Sequence, residues 1–219
     1  MNNFLKSLAK PFHRWTQKRR DAYYKKMRTT LQNTTPTIIA SDCFGGLVYH
    51  NLGLQFRSPT VNLFIEKEDF FHFVQNLKEY LQNDVTDITT DNDAYPMGQI
   101  IYNNTPIRIH FMHYNTFEQA KEKWEQRKQR IDWNNLYIIL TIESKPTHED
   151  ISRFNSLPYQ NKLLIVNDDN PAYPNAVTCS VFKKRDYRHG KILDYTSRFS
   201  VKRYMDEIDY VSFLNQPNK

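Results

Sequence analysis

Residues 136–142 read Leu-Tyr-Ile-Ile-Leu-Thr-Ile. Successive side chains of a strand point to opposite faces, so a run that is apolar throughout must be covered on both sides. That is the condition of a central strand in a parallel sheet layered between helices. "KLLIVN" at 162–167 has the same character, "AVTCSVF" at 176–182 is a third such strand, and Thr37–Ala40 after Pro36 is a short β-branched one. Between them the apolar spacing changes to that of helices. Gly46–Leu52 reads as a helix. Glu66, Glu68 and Asp69 open another, with Phe70, Val74, Leu77 and Leu81 on its inner face. Thr116 with Gln119 forms a capping box for a helix that turns Phe117, Ala120, Trp124 and Ile131 inward. Thr147 caps a short helix through Phe154, and Ser200 caps a last one to about Leu214. "TVNLFI" at 60–65 is extended, and the loop at 168–175 is the least structured stretch. "GQIIYNNTPIRIHFM" is a hairpin about Asn103-Asn104, with Ile107, Ile109 and Phe111 on one face and Arg108 and His110 on the other. Strands alternating with helices predict an α/β layered domain, its sheet mostly parallel, with one antiparallel hairpin added.

The net charge of +6 is unevenly placed. Residues 1–32 hold nine lysines and arginines against Asp21 alone, so the remaining chain is slightly acidic. Phe4, Leu8, Phe12 and Trp15, then Tyr23, Met27 and Leu31, recur at helical spacing among the basic residues. This predicts a basic amphipathic helix, broken or kinked near Pro11. Such a helix suits either an anionic membrane surface or a protein surface, its own or a partner's. The expected division is an arm at 1–34 and one α/β domain at 35–219, with a chain starting near Thr35 still folding. No basic stripe continues into the body, so nucleic acid is not expected as a partner.

Two cysteines 136 residues apart make no disulfide framework and suit a reducing compartment. No apolar run approaches the ~18–20 residues of a membrane span, and Lys6 and Lys10 interrupt any secretory core. The expected location is cytoplasmic, with a peripheral place on the inner face of the membrane if the arm binds lipid. Walker, Gly-x-Gly-x-x-Gly and paired metal-ligand motifs are missing, and Asp91 and Asp93 in "TTDNDAY" sit in a turn. No metal site is predicted, and no cofactor is identified.

The candidate site is "SDCFGG" at 41–46. A strand ends, Cys43 is presented, and Gly45 and Gly46 let the chain turn tightly into a helix. In open α/β sheets ligands lie at such carboxyl ends. The N–H groups of the helix start would favour a thiolate, an oxyanion or a phosphate. Cys43 then reads as a nucleophile, as part of a phosphate-binding turn with Asp42, Gly45 and Gly46, or as a small buried residue. Cys179, inside an apolar strand, reads as core. His113, in a loop just past the hairpin, is the first choice of base. His110, opposite the isoleucine stripe, would line the cleft. Arg127 and Arg130, three apart on one helix, can grip a phosphate or carboxylate or form a solvated face. Ser58 and Asn62 flank the segment at 60–65 and either line the cleft or cap turns about Pro59.

"SDCFGGLVYHNLGLQFRSPTVNLFI", "YPMG", "IHFMHYNTFEQAKEKWEQRKQRID", "RFNSLPYQNKLLIV" and "DYVSFLN" resemble, in this order, one bacterial family, catalogued as domain of unknown function 1919 and often labelled exopolysaccharide biosynthesis protein. The resemblance spans roughly residues 35–215. Members usually read Asn-Asn-Cys where this chain has Ser41-Asp42-Cys43. The label implies gene neighbourhoods for capsule, exopolysaccharide or lipopolysaccharide synthesis. It thus implies a transferase that modifies or extends a glycan, acyl transfer through Cys43 being one form, or a non-catalytic binding or assembly protein of the same pathway. The implied partner is a glycan or lipid-linked glycan acceptor; the activated donor is not specified.

Overall fold

A computed structural model describes residues 3–168, 173 and 175–217, with side chains from Trp15 onward. In chain order come α1 (Asn3–Arg28), β1 (Thr37–Ala40), α2 (Phe44–Leu52), α3 (Lys67–Gln75), α4 (Leu77–Gln82), β2 (Thr86–Asp87), β3 (Met97–Tyr102) and β4 (Thr105–His110). There follow α5 (Phe117–Lys128), β5 (Leu136–Ile142), α6 (His148–Ser156), β6 (Asn161–Val166), β7 (Ala176–Val177) and α7 (Tyr210–Leu214). The fold is mixed α/β. Strands β1-β5-β6-β7, in that order, form one parallel sheet. Strands β2-β3-β4 form a separate antiparallel one.

The parallel sheet is buried on both faces, as its apolar strands require. Ile39, Ile138, Leu140 and Leu164 pack against α3, α4, α5 and the antiparallel sheet. Ile38, Ala40, Tyr137, Ile139 and Ile165 pack against α2, the last part of α1 and the C-terminal segment. Strand β1 is an edge, and its outward N–H groups are met by side chains. Ile38 N donates to the Tyr49 hydroxyl (2.8 Å) and Ala40 N to Thr60 Oγ1 (3.0 Å). The hairpin turn holds Asn103 at φ 46° and Asn104 at φ 58°, the left-handed pair that a tight two-residue turn needs.

The single helix expected to carry Phe70, Val74, Leu77 and Leu81 is two, α3 and α4, broken at Asn76 (φ −132°, ψ 45°). Three other predicted elements differ. Residues 60–65 are a turn, not a strand. Asn62 has φ 65°, Thr60 N donates to Ser58 Oγ (3.1 Å), and only Phe64 pairs, bridging to His110. Their apolar side chains are buried by docking beside β1, without a ladder. At 176–182 only Ala176–Val177 are strand. The chain then turns into a 3₁₀ helix, Ser180–Lys183, whose start is held by the Glu207 carboxylate on Ser180 N (2.7 Å) and Oγ (2.6 Å). The expected last helix is a 3₁₀ turn, Tyr204–Glu207, followed by α7, which Asp209 caps through Ser212 N (3.0 Å). The Ser200 hydroxyl instead closes a local turn onto Lys202. Most of the loop at 168–175 lies outside the described residues.

Helix α1 continues through Pro11 rather than ending there. The side chains of Phe4, Leu8 and Phe12 lie outside the described ones; Trp15 is half exposed. From Thr16 the helix lies on the body. Tyr24 is buried and its hydroxyl donates to Asp206 Oδ2 (2.9 Å). Arg20 Nε donates to Ser200 O (3.0 Å) and Arg28 Nε to Asn51 O (2.9 Å). Met27 and Leu31 pack against the α2 side of the core. Beyond the helix, Asn33 and Asn135 exchange amide hydrogen bonds (2.8 and 2.9 Å), and Asn33 Nδ2 also reaches the Tyr137 hydroxyl (2.9 Å).

Candidate functional site

A cavity of about 470 Å³ opens at the carboxyl ends of β1 and β5. Asp42, Cys43, Phe64, Tyr95, His113, Glu143 and His189 are on its wall. A larger one, about 830 Å³, lies at the opposite end of the sheet around Trp133 and Tyr159. The first is the better candidate, because it is where open parallel sheets bind ligands and where titratable side chains converge.

Glu143 follows β5 directly and is almost wholly buried, its side chain 8% exposed. Its carboxylate accepts from Gly190 N (2.9 and 3.1 Å) and lies 2.6 Å from His189 Nδ1. With a carboxylate on Nδ1, the proton of a neutral imidazole sits there, and Nε2 remains an acceptor. The His189 ring also stands edge-on to Phe64, with centroids 5.5 Å apart. Glu143 is not among the candidates that the sequence offers, and His189 reads there as a solvated histidine; its side chain is 72% exposed. They are 46 residues apart and no spacing motif joins them.

Asp42 and Cys43 sit where the sequence placed them, between β1 and α2. The Asp42 carboxylate accepts from Phe44 N (2.8 Å), so it occupies the helix start that an external anion would use. Burial, above all, and the nearby Glu143 charge hold the Asp42 carboxyl above the usual range, against the hydrogen bonds from Phe44 N and Thr141. A thiolate at Cys43 is one of the forms that a helix start favours. Instead, burial and then the Asp42 charge push its thiol up to about 12. The Sγ–H group points to Leu63 O (3.8 Å). Among the described residues no imidazole lies within hydrogen-bonding distance of that sulfur. His113 shares the cavity wall, exposed and without a bond to Cys43.

The other candidates have structural surroundings. A Cβ on Gly45 would lie 2.9 Å from Ala40 Cβ, and one on Gly46 3.3 Å from Val61 Cγ1. The glycine pair therefore seats α2 closely between β1 and the 60–63 turn. Ser58 is buried and bonded to Thr60 (3.0 Å) within that turn, and Asn62 is at its apex. His110 stands behind the cavity wall, its Nδ1 3.3 Å from the Tyr95 hydroxyl and its ring against Phe64. Burial holds its imidazole below the usual value. Arg127 is 7% exposed, and its Nη1 donates to Val61 O (3.0 Å) and the Tyr114 hydroxyl (2.7 Å). Arg130 Nη1 donates to Phe56 O (3.1 Å). Both arginines thus hold the 56–61 segment rather than face the cavity. No three His, Cys, Asp or Glu side chains converge as metal ligands among the described residues.

The family described as Domain of unknown function (DUF1919) matches residues 15–215. The chain belongs to this family. A relative from Haemophilus influenzae, described as an "Uncharacterized protein", is 34% identical over 191 residues, covering 87% of this chain and 89% of that protein. A Plasmodium falciparum protein is 30% identical over 107 residues, 45% of this chain but 2% of that protein. The family match begins twenty residues earlier than the resemblance read from the motifs. Its start coincides with the point where α1 begins to lie on the body. The second half of that helix therefore belongs to the family's fold.

The Asp42 carboxylate invites a direct test. An acid whose folded pKa is raised contributes stability that is full below its unfolded pKa and lost as pH rises through the folded one. Asp42→Asn keeps an oxygen for Phe44 N and removes the charge facing Glu143. The variant is expected to melt higher than the parent at neutral pH. The gap should close as pH falls below the ordinary aspartate range. An unchanged melting curve across that range would show that the Asp42 charge is not under strain.

Proposed function

We propose that this protein is a transferase of surface-polysaccharide synthesis in which His189, oriented by Glu143, takes the proton from an acceptor hydroxyl. The observation that carries this reading is the buried carboxylate on His189 Nδ1 at the mouth of the cavity. It leaves Nε2 as the acceptor of a general base. The acceptor oxygen would then bond to the activated carbon, phosphorus or acyl centre of the donor, and the leaving group would depart with its electron pair. Phe64, Tyr95, Met112 and Leu193 supply apolar surface for the C–H faces of a sugar, and Asp42 and Glu66 supply hydroxyl acceptors. A covalent acyl-cysteine is not part of this reading, since the Cys43 thiol is held protonated. Cys43 instead shapes the cavity wall.

Helix α1 supports a place beside the anionic membrane surface where lipid-linked glycans are assembled. Trp15 is 50% exposed with Arg19 stacked on it (4.7 Å), and Lys18 and Lys25 are exposed nearby on the helix. No helix among the described residues is long and apolar enough to cross a membrane. The protein is expected to sediment with phosphatidylglycerol vesicles at low salt and to release them at high salt.

Complementation tests the transferase reading. Deleting the gene in its host should remove or shorten a surface glycan. The parent chain and Cys43→Ser should restore it, and His189→Ala should not, although it folds. Full restoration by His189→Ala would exclude the base and favour a non-catalytic binding or assembly role in the same pathway.

A further inference from the structure

A further cavity lies at the other end of α2, between α1 and the C-terminal segment. It is small, about 40 Å³. That is room for roughly three waters at ~10–15 Å³ each, or for one phosphoryl group. Arg20, Arg28, Arg203, His50, Asn51 and Tyr195 are on its wall. The Tyr195 ring is held between two guanidiniums, Arg20 at 3.3 Å and Arg203 at 4.2 Å from its centroid. Each arginine has part of its fork fixed on a carbonyl: Arg20 on Ser200, Arg28 on Asn51, Arg203 on Leu193. The guanidiniums are therefore pre-positioned rather than loosely solvated.

One donor at this place, Arg203 Nε, is buried without an acceptor. Asn51, only 2% exposed, turns its amide to the Tyr210 hydroxyl, which itself donates to Asp206 Oδ1 (2.9 Å). A buried unpaired donor is costly, so Arg203 Nε marks a place for an acceptor. The neighbouring acids do not fill it. Asp206 is committed to Tyr24, Tyr210 and Arg203 N, and Asp21, the carboxylate on the cavity wall, accepts from Gln17. Three arginines against Asp21, with a donor left over and one phosphoryl group's worth of space, define a ligand that is anionic and only accepts hydrogen bonds. Guanidinium forks match such oxygens in pairs.

We propose that this cavity binds a phosphoryl group, carried either by a soluble phosphate ester or diphosphate or by a lipid headgroup. This inference does not depend on the transferase reading. The test uses the full chain with inorganic pyrophosphate, followed by isothermal titration. Saturable binding is expected, weakened about tenfold or more in Arg28→Gln and Arg203→Lys, and not reproduced by sodium chloride at equal ionic strength. Arg28 is exposed, so Arg28→Gln decides the matter if Arg203→Lys does not fold. Vesicles separate the two sources. If phosphatidylglycerol vesicles compete with pyrophosphate, and the competition disappears in Arg28→Gln, the ligand is a headgroup. If pyrophosphate binds and vesicles do not compete, it is a soluble phosphate. Absence of saturable pyrophosphate binding, or binding that both variants retain in full, overturns the proposal.

Discussion

Under the proposed transferase reading, Glu143→Gln is expected to cost about 10²–10⁴ in transfer rate, the usual worth of a positioned general base, with only a small change in melting temperature. Glutamine has nearly the same shape, and its oxygen can still accept from Gly190 N. What it lacks is the charge that holds the proton on His189 Nδ1 and stabilises the imidazolium once Nε2 has been protonated. Losing charge-assisted hydrogen bonds would by itself destabilise by ~1.5–3 kcal/mol. The substitution also removes the like charge that faces Asp42, an opposing gain. The two variants Glu143→Gln and His189→Ala act through one proton, so their double mutant should lose little more than either alone. Steady-state rates for the three variants would settle this. A Glu143→Gln chain with the parent's rate would remove the pair from the chemistry and leave the cavity as a binding site.

Removing residues 1–34 is expected to unfold most of the protein. The sequence suggested the opposite, because the basic stretch looked like an appendage before the first strand. The truncation strips the cover from the α2 side of the core. Losing Tyr24 alone forfeits ~1.5–3 kcal/mol of side-chain burial. Losing Asn33 removes three side-chain hydrogen bonds, to Asn135 and Tyr137, at ~0.5–1.5 kcal/mol each. Asp206, Asn135 and Tyr137 each lose a hydrogen bond to the removed segment. Together these losses are on the order of 5 kcal/mol, comparable with the whole stability of an ordinary domain, ~5–15 kcal/mol. Circular dichroism and limited proteolysis of a chain beginning at Thr35 measure the effect. A cooperative transition at the parent's temperature would show that the helix merely rests on the surface.

Much of the fold could be read from local pattern. "LYIILTI" announced a strand covered on both faces, Asn103-Asn104 announced the hairpin turn, and Thr116 and Thr147 both cap the helices they precede. The misreadings came where apolar residues are buried without a ladder. Val61, Leu63 and Ile65 are as buried as any strand, yet side-chain hydroxyls rather than a neighbouring strand meet the nearby backbone. The Cys43 turn was placed correctly, but its electrostatics were not. The helix start favours an anion, and Asp42 is already that anion. Arg127 is on α5, but the helix ends at Lys128 and leaves Arg130 in the turn beyond it, and both guanidiniums reach inward onto carbonyls of the 56–61 segment. The Glu143–His189 pair was illegible for a simpler reason. Glu143 is a lone acid after a strand and His189 lies in a turn, and only the return of the chain past β7 brings them together.

The outer edge of β1 has a further consequence. An edge strand normally offers a row of unpaired N–H groups on which a foreign strand can grow. Here Tyr49 and Thr60 take those protons themselves. At the other edge β7 is only two residues long. An extended segment from another molecule therefore finds no donors waiting on β1 and little length on β7. The hydroxyls that close the fold also guard the sheet against self-association, so Tyr49→Phe or Thr60→Val should reveal itself as aggregation on prolonged warming even where the melting curve barely moves.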